Sequence, residues 1–179
     1  MKEHKRVYPT GCMTSRRPPY RTEEPVFFRC PDCGAVSVIC RPAGSQGMQD
    51  PGRCCGRPME RLSPGDGNIE GDTHRLEYCI FGGFTHNSIR IEVDRGSHPM
   101  TQDHHIEWIY LRTYQGGQIK YLPRPGEAAV LFSMASEDAY SFCDREVCRM
   151  GWEHCLFQCK RGHMAYAYCS QHGLYRLVF

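Results

Sequence analysis

The chain of 179 residues lacks long apolar runs. None approaches the roughly 20 residues that a membrane-spanning helix needs, which excludes an integral membrane protein of the helical kind. It lacks a strong charge of either sign. Lys plus Arg number 22 against 20 Asp plus Glu, a net +2 with neutral histidine. That excess is too small to argue for nucleic acid as a partner. The first thirty residues hold no apolar stretch that could serve as a signal-peptide core. Arg16-Arg17 is followed by Pro18-Pro19 rather than a hydrophobic run, so a twin-arginine signal fits poorly. These absences lead us to expect a cytoplasmic protein with no membrane partner. In that compartment thiols stay reduced, and clustered cysteines read as metal or catalytic groups.

What the chain has in plenty is 12 cysteines and 9 histidines. Residues 1–25 form a basic stretch with Lys2, Lys5, Arg6, Arg16, Arg17, Arg21 and four prolines, expected to be a loose tail. Residues 26–63 are expected to form a small cysteine module, with Ser63-Pro64-Gly65-Asp66-Gly67 as a linker. Residues 64–179 carry seven strand-like runs separated by Gly and Pro turns: 75–81, 88–93, 105–112, 118–122, 129–134, 164–169 and 174–179. Ile89, Ile91 and Val93 alternate with Arg90 and Glu92, the period of a half-buried strand. Seven such runs predict an all-β, antiparallel sandwich. The stretch 136–160 breaks the pattern and reads as an insertion with helical content.

Two constellations carry chemistry. Cys30-x-x-Cys33 with Cys54-Cys55 offers four thiolates, a soft tetrahedral set that suits iron or zinc. Neighbouring side chains in an extended strand diverge, so Cys54 and Cys55 meet one ion only if the backbone bends there. A purely structural zinc knuckle is the alternative. The second set is His98 and His104, Cys169 and His172, and His74 at the head of the first strand-like run. Structural zinc almost always stops at four ligands. Four imidazoles in a plane with one thiolate below leave one octahedral position open, which favours iron cycling between ferrous and ferric, with the thiolate pushing electron density onto it. Within the insertion, Cys143, Cys148, Cys155 and Cys159 offer four further thiolates for a 4Fe–4S cluster or zinc. Loop thiols packed as small hydrophobes are the alternative there. Cys12, Cys40 and Cys79 have no partner at ligand spacing.

Cys30-Pro-Asp-Cys33-Gly34 with Cys54-Cys55-Gly56-Arg57-Pro58-Met59, Ser97-His98-Pro99-Met100-Thr101 through His104 into Ile106-Glu107-Trp108-Ile109, and Tyr168-Cys169-Ser170-Gln171-His172-Gly173 together resemble desulfoferrodoxin, the two-domain form of superoxide reductase. The resemblance spans roughly residues 26–134 and 161–179. It implies a desulforedoxin (rubredoxin-like) module followed by an immunoglobulin-like catalytic domain. It implies a rubredoxin-like iron at Cys30, Cys33, Cys54 and Cys55. His74, His98, His104 and His172 would be the equatorial ligands of a catalytic iron, and Cys169 its axial ligand. It further implies one-electron reduction of superoxide to hydrogen peroxide, electrons from rubredoxin or a similar donor, and a homodimer.

The sequence departs from the family in three places. Asp72-Thr73 stands where Glu-Lys usually precedes the first ligand. Arg75 then becomes a candidate for the missing positive charge, and Asp72 a candidate sixth ligand. The longer gap from His74 to His98 makes His86 a rival first ligand. His105 stands where the family often has Tyr, and is not counted as a ligand. A non-enzymatic iron electron-transfer protein and a zinc-ribbon binding module are the alternative functions.

Overall fold

Alternation of apolar and polar side chains accounts for most of the structure. The computed structural model describes residues 4–5, 18–47, 50–82, 86–139, 147–148 and 162–179. In chain order the strands are β1 (His4–Lys5), β2 (Val26–Arg29), β3 (Val36–Ile39), β4 (Arg53–Cys54), β5 (Arg57–Pro58), β6 (Glu60–Arg61), β7 (Gly65–Asp66) and β8 (Leu76–Gly82). They continue with β9 (His86–Val93), β10 (Ile106–Arg112), β11 (Gly117–Tyr121), β12 (Ala129–Ala135), β13 (Val147–Cys148), β14 (Met164–Cys169) and β15 (Gly173–Val178). A 3-10 turn over Asp94–Gly96 and one helical turn, α1 (Ser136–Ala139), complete the described elements. The expected all-β class is therefore found, and each of the seven expected runs is a strand within two residues of its expected bounds.

The sheets follow the order β12-β9-β8 and β11-β10-β14-β15-β7. Ile89, Ile91 and Val93 of β9, Phe132 of β12, Ile109 and Leu111 of β10, and Ala165 and Ala167 of β14 meet in one buried cluster between them. Three strands facing four, with a short fifth at the edge, is an immunoglobulin-like sandwich. The outward residues of β9 pair across its surface: Arg90 binds both Glu92 and Glu127.

One correction concerns the linker. Gly65 and Asp66 do not merely connect; they pair in parallel with Tyr175 and Arg176 of β15. Gly67 permits this, because a Cβ there would run into Leu76 and the backbone of Arg176.

The central strands of the five-stranded sheet, β10 and β14, are buried on both faces. Its outer face carries Trp108, Tyr110, Tyr166, Tyr168 and Leu174, and Phe27 of β2 is packed among them with Val36, Val38 and Leu62. The Phe27 ring lies 5.3 Å from Trp108, 5.3 Å from Tyr110 and 4.9 Å from Tyr166. β2 pairs with β3 and β6, and β4 pairs with β5. The loose basic tail expected over 1–25 does not extend to residues 20–24. The Tyr20 ring stacks under Arg112 at 4.0 Å, the Arg21 backbone N–H donates to the Tyr114 carbonyl, and Glu24 accepts from Tyr166 and Arg176.

A β-bulge interrupts the centre of the five-stranded sheet. The register between β10 and β14 shifts between Ile106 and Trp108. The extra residue, Glu107, lets Ile106 and Ile109 both face the sandwich core while Trp108 faces outward.

Phe27→Ala should weaken the whole chain by about 3–5 kcal/mol, the usual cost of emptying a buried aromatic site. Chemical denaturation of the variant beside the parent measures this.

Candidate metal centres

Four segments deliver the imidazoles and the thiolate to one end of the sandwich. His74 precedes β8. His98 and His104 lie between the 3-10 turn and β10. Cys169 ends β14, and His172 sits in the hairpin before β15. Gly173, at φ +85°, closes that hairpin in the left-handed region where a residue without Cβ is at ease.

The four rings close a square. Centroid separations are 5.0 Å for His74–His98, 4.7 Å for His98–His104, 4.9 Å for His104–His172 and 4.7 Å for His172–His74. The His74–His104 diagonal is 6.4 Å. Ligand atoms of His74, His104, Cys169 and His172 all lie within 4.8 Å of one another. His98 joins through its ring contacts with His74 and His104.

Hydrogen bonds fix which ring nitrogen of His74 and His98 is available. The Asp72 carboxylate accepts the His74 backbone N–H at 2.8 Å and lies 3.2 Å from His74 Nδ1. Tyr175 stacks flat on the same ring, 4.4 Å away and 5° from parallel. His98 Nδ1 faces the Pro99 carbonyl at 2.8 Å. His104 is held by a turn in which its N–H reaches Thr101 Oγ1 and its carbonyl accepts from Thr101 N–H. Among the described residues the Nε2 atoms of His74, His98 and His104 are buried with no hydrogen-bond partner. His172 differs: its Nδ1 is the inward atom, 3.4 Å from Cys169 Sγ. Burial pushes the proton affinity of His98 down to about 4 and lowers that of His104, so both rings favour the neutral, ligating form. Orphaned buried nitrogens beside a fully buried thiol fit a divalent or trivalent transition metal better than any protein partner present.

Asp72 was a candidate sixth ligand, and the structure gives it another place. Its carboxylate is engaged by His74, in the manner of the acceptors that orient metal-binding imidazoles. The hydrogen bond from the His74 backbone lowers the Asp72 carboxyl from its ordinary value. The spacing Asp-x-His, in which a side-chain oxygen reaches the N–H two residues on, was the signal in the sequence for this role. Arg75 is likewise committed. Its Nε pairs with Glu77 at 3.5 Å, and Glu77 also meets Arg95 at 3.7 Å. Arg75 lines a cleft of about 330 Å³ with Glu70, Asp72, Asp94 and Arg95, where acidic groups outnumber basic ones. His105 stands apart from the cluster, its Nε2 3.0 Å from Arg124 Nη1. The rival ligand His86 opens β9, whose Val93 end pairs with Leu76 beside His74. Seven residues of strand place it about 23 Å from that end.

The second cluster lies in the amino-terminal segment. Sγ atoms of Cys30, Cys33, Cys54 and Cys55 are within 4.8 Å of one another, and Cys33 and Cys54 are 3.6 Å apart. Gly34, at φ +74°, turns the first pair, and its N–H donates to the Cys30 carbonyl. The required bend in the second pair is present: Cys55 adopts φ +51° and Gly56 φ +77°. The Ala35 backbone N–H draws the Cys33 thiol down to about 7, while its sulfur neighbours, Cys33 first, push Cys55 up to about 12. A metal ion bound there would draw the remaining protons off, since the thiolate is the ligating form. Among the described residues the cysteines are free rather than disulfide-bonded. Cys143, Cys155 and Cys159, with the side chain of Cys148, lie outside the described residues.

Fold and clusters define a class, a β-sandwich protein with two thiolate-containing sites suited to metal ions. The Desulfoferrodoxin family profile matches residues 84–177, and the chain belongs to that family. It is 32% identical over 88 residues to a desulfoferrodoxin homolog of Methanothermobacter thermautotrophicus, covering 49% of this chain and 64% of the relative. The match thus spans a little under two thirds of that protein. It is 30% identical over 104 residues to the desulfoferrodoxin of Nitratidesulfovibrio vulgaris, covering 57% of this chain and 73% of the relative. The crystal structure of the superoxide reductase from Treponema pallidum superposes with a TM-score of 0.54 at 22% identity, over 86% of this chain and 98% of the other. At that identity the likeness speaks for the fold.

Asp72→Ala should lower metal affinity at the imidazole cluster by about 10–100-fold, the usual effect of losing a carboxylate behind a ligating histidine. Competition against a coloured chelator measures it, and the four-cysteine cluster should keep its affinity.

Proposed function

We propose that this chain is a superoxide reductase. It adds one electron and two protons to superoxide, giving hydrogen peroxide, at an iron held by His74, His98, His104, His172 and Cys169. The observation that carries this reading is the closed square of four imidazoles beside one buried thiol. A bound iron held by these five residues would supply one-electron chemistry there.

The protein's own groups do the rest. Asp72 and Tyr175 orient His74, the Pro99 carbonyl orients His98, and the Thr101 turn orients His104. Cys169 is sealed from water, which keeps its sulfur for the metal. His172 is exposed and His104 partly so, which gives a small anion its way in and lets solvent deliver the two protons.

In this reading residues 26–63 are a module whose Cys30, Cys33, Cys54 and Cys55 hold iron, with zinc the alternative, and residues 64–179 are the catalytic domain. A rubredoxin-like protein is the electron donor and the assembly is a homodimer.

The test is anaerobic purification, iron loading and a superoxide-consumption assay. The parent should yield one peroxide per superoxide with no dioxygen. His104→Ala should lose about a hundredfold in rate, at least the loss that follows from disturbing a ligand's support. Dioxygen release would mean dismutation, and a red, iron-loaded protein without consumption would favour the non-enzymatic electron-transfer alternative. Arg75→Ala should leave the rate unchanged at low and at high salt, because Glu77 already offsets that cation. A salt-dependent loss would restore Arg75 as an attractor of the anion.

A further inference from the structure

Arg29 touches the surroundings of both clusters. It is bonded to Cys30, a fully buried member of the four-cysteine cluster. Its guanidinium lies against the turn that shapes that cluster: a Cβ on Gly34 would stand 3.0 Å from Arg29 Nη2. The same guanidinium donates to Glu107 Oε1 at 3.1 Å, and both side chains are about three-quarters buried, at 26% and 21% exposure. It also lies over the Tyr168 ring, 5.3 Å from the centroid. Tyr168 is bonded to Cys169. Alternation along β14 turns Tyr168 to the outer, aromatic face and Cys169 to the imidazole cluster. The bulge that places Glu107 lies directly opposite Tyr168 and Cys169. Metal binding by the imidazoles makes no use of this arrangement.

We propose that Arg29 couples the two clusters, holding a route for one electron from a metal at Cys30, Cys33, Cys54 and Cys55 to a metal at Cys169. Electron transfer through protein weakens most steeply across gaps between unbonded atoms. Here the path runs through covalent bonds from Cys30 to the Arg29 guanidinium, crosses one gap to the Tyr168 ring, and follows covalent bonds to Cys169. Ion pairing with Glu107 keeps that gap fixed, since the guanidinium is bound to the carboxylate while it lies over the ring. In the step itself one electron leaves a ferrous ion at the first site and reduces a ferric ion at the second. No bond forms or breaks and no proton moves. A one-electron carrier protein, or dithionite in the test, refills the first site. The proposal rests on the superoxide reductase reading only in needing redox-active iron at both sites.

The experiment uses the full chain loaded with iron, oxidised, and then mixed anaerobically with less dithionite than one electron per chain. Stopped-flow absorption follows the thiolate-to-iron bands of the two sites separately, and their midpoint potentials are measured by redox titration. Three proteins are compared: the parent, Arg29→Ala and Arg29→Lys. Lysine keeps the charge but lacks the planar group that lies over the ring. With both irons retained and both potentials unchanged, transfer from the four-cysteine site to the imidazole site should slow by about tenfold in each variant, as expected when a positioning contact is lost. If Arg29→Ala loses iron from the first site, the lysine variant decides. Equal transfer rates in the parent and in Arg29→Lys, or no transfer in the parent, would overturn the proposal. Superoxide turnover with a small reductant that feeds the second site directly should match the parent in Arg29→Lys. A parent that passes electrons between sites yet consumes no superoxide would sink the enzymatic reading and leave the role of Arg29 standing.

Discussion

Three imidazole nitrogens are buried at one end of the sandwich with nothing among the described residues to receive them, and much of the surrounding architecture depends on that. A buried acceptor without a partner costs about 1–3 kcal/mol. The Nε2 atoms of His74, His98 and His104 carry that cost together. The other ring nitrogens of His74 and His98 are tied to Asp72 and to the Pro99 carbonyl, and the Thr101 turn holds the His104 backbone. A cation held there would receive all three, with the Cys169 sulfur and His172 within reach of the same ion. Binding there is therefore coupled to the ordering of the segment between Val93 and Ile106 and of the hairpin at Cys169.

The five-stranded sheet serves two cores. Small residues on the inner face of β14, Ala165 and Ala167, let the sheets close over Phe132 and Ile109. Large aromatic residues on its outer face, Tyr166 and Tyr168, take up Phe27 and seat the amino-terminal segment. One strand thus presents a thiolate to one cluster and an aromatic ring to the neighbour of the other. The bulge at Glu107 serves the same end: it keeps Ile106 and Ile109 in the core while freeing one carboxylate to reach Arg29.

Much of this was legible in the residues. The alternation of Ile89, Ile91 and Val93 announced a strand, and Gly and Pro turns announced the sandwich. The requirement that the backbone bend at Cys54-Cys55 is met by a left-handed Cys55 followed by Gly56. Other features were illegible for physical reasons. Gly65 and Asp66 have the composition of a linker, and they become a strand because β15 offers an unpaired edge and Gly67 a place without a side chain. Arg75 resembled a free cation because one-dimensional spacing does not reveal that Glu77 and Arg95 share its surroundings. Tyr20 to Glu24 sit in a proline-rich, basic stretch, yet Arg112 and Arg176 lie ready on the folded sheet to receive them.

The sequence by itself determined the chemistry available: soft thiolates in two pairs, imidazoles around a turn, a thiolate three residues from a histidine, and strands of the right period to carry them. Those depend on residue type and local spacing, which the chain holds before it folds. Only the tertiary structure decided which imidazoles share a centre, that His86 begins the far end of a strand, that Asp72 serves His74, and that Arg29 lies between the clusters. Each of those is a relation between parts of the molecule fixed by sheet register and by the packing of buried side chains rather than by any short stretch of residues.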